Sequence, residues 1–153
     1  MDKLSLNIRL DGMNVLEKVM TPFIPIENAV FAFDVKAQLM GTATKDMIAV
    51  VVSISIRYND DPKVLARIIT EFGFEIKDLN SVVSKGENDK MIIPSELEGF
   101  LKTISIGSMR GIMHSEFRGT NLHSAILPII VMDSMKPVSG SVLGDDNTPA
   151  IAL

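Results

Sequence analysis

An antiparallel α+β domain, four strands followed by one long helix, is the fold class this sequence predicts. Three observations carry it. Apolar residues alternate with period 2 in the stretches 3–10, 29–40 and 63–77, and 47–58 is a β-branched run. A single long stretch opening at Pro94-Ser95-Glu96 has helical spacing. Strands do not alternate with helices, so wound βαβ folds find no support. The 153 residues fit one domain able to bury its own core. That domain is expected over residues 1–136. Residues 137–153, rich in Gly, Ser, Pro and Asp, are expected to form a mobile tail.

The first strand is KLSLNIRL, with Leu4, Leu6, Ile8 and Leu10 on one face. Asp11-Gly12 then signals a turn. Pro22 and Pro25 break the next stretch, so TPFIPIEN reads as an irregular crossover. In 29–40, Phe31, Phe33, Val35, Ala37 and Leu39 share a face opposite Ala32, Asp34, Lys36 and Gln38. Residues 41–46 are small and polar, as in a hairpin connection. MIAVVVSISIRY is rich in β-branched residues and reads as a central strand. Asn59-Asp60-Asp61-Pro62 is a turn.

The stretch 63–77 satisfies two patterns. Val64, Leu65, Ile68, Ile69 and Phe72 have helical spacing behind an Asp61-Pro62 start signal. Val64, Ala66, Ile68, Thr70, Phe72, Phe74 and Ile76 also alternate against Arg67, Glu71, Gly73, Glu75 and Lys77. The alternation persists through Gly73, which weakens a helix, so a strand is predicted. After a polar loop at 84–90, the helix is expected to run to about Arg118, roughly 35 Å. Its expected apolar stripe is Leu97, Leu101, Ile104, Ser108 and Ile112, with Ser115 and Phe117 beyond. Gly99, Gly107 and Gly111 either make this helix flexible or admit a close partner helix. Gly119 is placed to cap its end, and Pro128 argues against helix in 122–132.

Composition narrows the function. The formal net charge of -4 and pI of about 5.1 speak against a dedicated nucleic-acid binder. The absence of Cys removes thiol nucleophiles, disulfides and thiolate metal sites. The apolar run Met47–Ile56 is far short of the ~20 residues a helical membrane span needs. No signal-peptide layout opens the chain, so the expected location is the cytoplasm. His114 and His123, nine positions apart without a carboxylate pattern, are expected in surface or capping roles rather than as metal ligands. No nucleophile elbow, P-loop or dinucleotide fingerprint is present, and an enzyme is not expected. The mean hydropathy is high, +0.28, and Met outnumbers the aromatics, 10 to 8. Such adaptable apolar side chains either fill the core or form a contact surface for varied partners.

The C-terminal half, ELEGFLKTISIGSMRGIMHSEFRGTNLHSAILPI, resembles the long helix and following segment of the SecB family of export chaperones. The likeness rests on a helix carrying an Arg, then Arg118-Gly119-Thr120, then Leu127-Pro128. NAVFAFDVKAQL and MIAVVVSISIRY resemble that family's central hairpin, and VLARIITEFGFEI its fourth strand. The likeness spans roughly residues 28–133, and colinear order carries it more than any single motif.

The resemblance implies a four-stranded antiparallel sheet with a long helix packed near it, and a homotetramer built as a dimer of dimers. It implies an ATP-independent holdase that binds unfolded precursor polypeptides, needs neither cofactor nor metal, and passes clients to SecA. Phe31, Phe33, Ile126, Leu127, Met132 and Met135 become candidate client-groove residues. Leu4, Leu6 and Ile8 on an edge strand, and Gly107, Gly111, Met109 and Met113 on the helix, become candidate subunit contacts. Leu65 and Arg67 fall where typical members dock SecA. There the family carries an acidic residue, and the reversed charge of Arg67 costs affinity for that partner. The family also has an aromatic-Pro pair where Asn121-Leu122 stands, and a final amphipathic helix where VMDSM meets Pro137. These departures support a second expectation: a dedicated chaperone or adaptor for one cognate protein, such as an antitoxin.

Overall fold

The computed structural model describes residues 6–42, 46–130, 141–142 and 151–152. Four long strands form its main sheet: β1 (Ile8–Met20), β2 (Phe31–Thr42), β3 (Met47–Tyr58) and β4 (Val64–Ile76). All pairs are antiparallel, in the order β1-β4-β3-β2. A helix, α2 (Ser95–Glu116), lies against one face. Between β4 and α2 come a short helix α1 (Leu79–Val82), a strand β5 (Ser84–Lys85), a 3₁₀ turn (Glu87–Asp89) and a strand β6 (Met91–Ile93). The architecture is therefore α+β.

β3 shows how the sequence produces the sheet. Its even-numbered residues, Ile48 to Tyr58, are all buried, while its odd-numbered residues are half-buried. It is flanked by β2, in unbroken register from Phe31↔Tyr58 to Thr42↔Met47, and by β4. The central position expected for this strand is the one observed. In β4, strand alternation prevails over helical spacing: Ile68, Phe72, Phe74 and Ile76 are buried, while Glu71, Gly73 and Glu75 turn to the other face. Burying side chains of this size contributes roughly 1.5–3 kcal/mol each, and a helix here would leave half of them in water.

The first strand differs from its prediction. Asp11-Gly12 is not a turn; it lies inside β1, which continues to Met20. Gly12 does not take the positive φ of a hairpin turn. The register instead jumps from Leu10↔Phe74 to Gly12↔Gly73, leaving Asp11 as the extra residue of a bulge. A second shift leaves Leu16 unpaired between Val15 and Glu17. Arg9 forms ion pairs with Asp11 and with Glu75 across the bulge. The irregular crossover is where it was expected, in residues 21–30 between β1 and β2.

The helix also carries a correction. Its buried residues are Leu97, Leu101, Lys102, Ser105, Ile106, Met109 and Met113. The seam advances four residues at a time from Leu97 to Met113. The predicted Ile104, Ser108 and Ile112 occupy the half-buried ridge beside it. Polarity hid the true seam. Ser105 donates its hydroxyl to the Leu101 carbonyl, 2.8 Å away, so burial leaves it satisfied. Lys102 lies 2.6 Å from Glu98 one turn earlier. The helix ends at Phe117, and Gly119 takes a left-handed φ of 76° two residues later.

Within the expected tail, two described pieces are paired rather than free. β7 (Ser141–Val142) adds to β6, and β8 (Ile151–Ala152) adds to the outer edge of β2 at Asp34 and Val35.

Candidate functional site

The long strands place three junctions at one end of the sheet. β1 leaves there at Met20, opposite Ala66; β2 enters at Phe31, opposite Tyr58; and β4 begins at Val64. Lys18 of β1 forms an ion pair of 2.8 Å with Glu116, so the C-terminal end of α2 lies at this end too. The segment after the helix then folds back. Phe117, Leu122, Ala125 and Leu127 are buried in the core, and Arg110 donates from Nε to the Leu127 carbonyl at 2.8 Å. The crossover starts at this rim of the sheet, and the post-helix segment follows the helix end that Lys18 holds there.

That rim carries the largest apolar exposure among the described residues. Ile24 is 86% exposed and Ile129 74%, with Ile26, Val30 and Ile126 also exposed. The backbone beneath them is held in place. Thr21 donates to the Leu65 carbonyl at 2.8 Å, Asn59 to the Val30 carbonyl at 2.9 Å, and Ile26 to the Tyr58 hydroxyl at 3.1 Å. Tyr58 is the hub: Phe31 stacks on it with centroids 5.3 Å apart, and Phe23 meets it edge-on at 5.9 Å. An aromatic base thus supports an exposed aliphatic loop whose prolines keep it out of the sheet. Such a surface can bury apolar side chains of another polypeptide at about 25 cal/mol per Å².

The candidate groove residues separate on this surface. Phe31 belongs to the aromatic base and is half-buried; Ile126 is exposed on the rim. Phe33 and Leu127 are core residues of the single chain. Met132 and Met135 lie outside the described residues. The expectation missed Phe23, Ile24, Ile26, Val30 and Ile129. Ile24 and Ile26 had a legible signal, since apolar residues beside Pro22 and Pro25 cannot enter a strand interior.

The candidate subunit contacts separate as well. Met109 and Met113 are buried under the helix, so they are not available at its surface. Gly107 and Gly111 are exposed, and a Cβ added at either meets nothing within 4 Å. Leu4 lies outside the described residues; Leu6 and Ile8 are half-buried and pack on the core. The outer edge of β1 nevertheless has no strand partner among the described residues. Leu10, Met13 and Val15, which face the same side as Phe72 and Phe74, stay exposed. At the candidate docking position Leu65 is only 2% exposed. The Arg67 guanidinium donates from Nε and Nη2 to Glu17 Oε1, at 2.9 and 2.7 Å, so its charge is matched within the sheet.

No group of three or more His, Cys, Asp and Glu side chains gathers to hold a metal among the described residues. No described helix is long and apolar enough to cross a membrane. No family model matches the sequence, and no curated protein is similar to it at a significant level.

Proposed function

We propose that this protein is an ATP-independent holdase of the SecB type, acting in the cytoplasm on unfolded or precursor polypeptides bound for export. The observation that carries the reading is the exposed apolar rim at Ile24, Ile26, Val30, Ile126 and Ile129, backed by Phe23, Phe31 and Tyr58. Pinned apolar side chains in water bind extended chain segments without a chemical step, so neither nucleotide nor metal is needed for holding. The reading also rests on the resemblance of residues 28–133 to that family, which implies a four-stranded antiparallel sheet with a long helix, the general class seen here. The β1 edge, unpaired among the described residues and with Leu10, Met13 and Val15 beside it, suits pairing with a second copy, a step towards a dimer of dimers. SecA is a poor fit as a partner at β4, because Leu65 is buried and Arg67 is matched by Glu17.

The test is light scattering on size-separated protein, with and without a reduced, carboxymethylated unfolded client. A tetramer that shifts to a client complex of defined stoichiometry supports the proposal. A monomer, or an oligomer indifferent to several unfolded clients, contradicts it. Tight binding to one cognate protein, with no general holding, would instead establish the second reading of a dedicated chaperone. The match of Arg67 to Glu17, which leaves no free charge at the family's docking position, favours that reading.

A further inference from the structure

His114 and His123 were expected to serve the surface or the cap. The fold leaves both on the surface and also brings their rings together, with centroids 5.3 Å apart and planes inclined by 42°. Both side chains are exposed. Among the described residues, no hydrogen bond or ion pair engages either imidazole. We propose that they form a two-imidazole chelate for a single divalent zinc ion, with solvent completing its coordination.

Three features carry this. The first is distance. With a Zn–N bond of about 2.0–2.1 Å and an imidazole radius of about 1.2 Å, each centroid lies about 3.2 Å from the ion. A tetrahedral angle at the ion then separates the centroids by about 5.2 Å, and a square-planar cis arrangement by about 4.5 Å. The observed separation of 5.3 Å fits the tetrahedral arrangement that zinc prefers. The inclination of 42° also departs from parallel stacking.

The second feature is rigidity. His114 stands in the last turn of a 22-residue helix. His123 is fixed by its amide, which donates to the Thr120 carbonyl at 3.1 Å. The Thr120 hydroxyl in turn donates to the Phe117 carbonyl at 2.7 Å and accepts from the Leu122 amide at 3.1 Å. Phe117 and Leu122 are core residues on either side of this turn. The backbone carrying both rings is therefore fixed before any ion arrives, which lowers the ordering cost of chelation. The third feature is electrostatic: the site lies at the C-terminal end of α2, where the helix dipole favours a cation.

The test is calorimetric titration of the full chain with zinc chloride, with NMR of the imidazole nitrogens as a second readout. The expected result is one zinc ion per chain and shifts at both histidines. His114→Gln and His123→Gln should each weaken binding about tenfold or more. Both side chains are exposed, so the metal-free variants should melt as the parent does. Zinc should raise the melting temperature of the parent alone. An absence of saturable binding, or binding that survives either substitution, overturns the proposal. So does an imidazole shift confined to one ring.

Discussion

β1 and β3 are strands of similar length in one sheet, and they live in different surroundings. β3 is hydrogen-bonded on both edges and buries every second side chain along its whole length. Among the described residues β1 has one neighbouring strand, and it has two bulges and no buried residue. Their apolar content does not explain this, because Leu10, Met13 and Val15 face the same side as Phe74, Phe72 and Thr70. The helix explains it. α2 packs chiefly over β2, β3 and β4, and reaches β1 through the Lys18–Glu116 ion pair at its last turn. The lesson is that the layer above a strand decides whether its alternating pattern becomes core or surface. The apolar residues left uncovered on β1 and the crossover are the surplus implied by the high hydropathy.

Substitutions can break this contrast, starting with the largest effect. Phe72→Ala in β4 should cost about 3–5 kcal/mol. Met13→Ala, opposite Phe72 on β1 but 56% exposed, should cost under about 0.5 kcal/mol. Paired urea denaturation curves check both, and a similar loss at Met13 would mean that β1 is covered in solution. Phe33→Asp belongs with the large effects: it should unfold the chain rather than weaken client holding alone, because Phe33 is a core residue. Glu98→Gln leaves the largely buried Lys102 ammonium unpaired, and should cost roughly 3 kcal/mol. Simultaneous replacement of both by Met should recover most of that loss, which a double-mutant cycle measures.

One modest effect carries the opposite sign. Thr70 is fully buried on the core face of β4, and its hydroxyl is the one buried side-chain polar atom without a partner among the described residues. Thr70→Val keeps the shape and removes the unsatisfied group, so it should stabilise the fold by about 1 kcal/mol. A rise in the denaturation midpoint with an unchanged slope is the expected sign.

Much of the fold was legible because its strands obey one simple rule. In β2 and β4 the period-2 pattern coincides with burial, and the β-branched run of β3 marked it as a central strand, so their positions and the hairpin followed. β1 was misread because an Asp-Gly pair is a turn signal only where the backbone takes positive φ, and a bulge opposite Gly73 uses the same residues otherwise. The helical seam was misread because Ser105 and Lys102 look polar in sequence, while local bonds to Leu101 and Glu98 make their burial tolerable. The candidate site was legible only in part. Phe31 and Ile126 were visible as apolar residues, but the separation of Ile126 from Leu127 depends on which side of an irregular segment faces the core. No periodicity encodes that. The nearness of His114 and His123 likewise depends on the turn at Phe117–Leu122, which spacing alone does not reveal.

The central claim is that the exposed rim, rather than the sheet core, holds client polypeptide. The most direct measurement compares Ile24→Asp/Ile26→Asp with the parent chain in suppressing aggregation of a chemically unfolded protein, alongside light scattering and thermal melting. The account predicts an unchanged oligomer, a melting temperature within a few degrees, and holding weakened at least tenfold. Full holding by this variant, with its fold intact, would contradict the account.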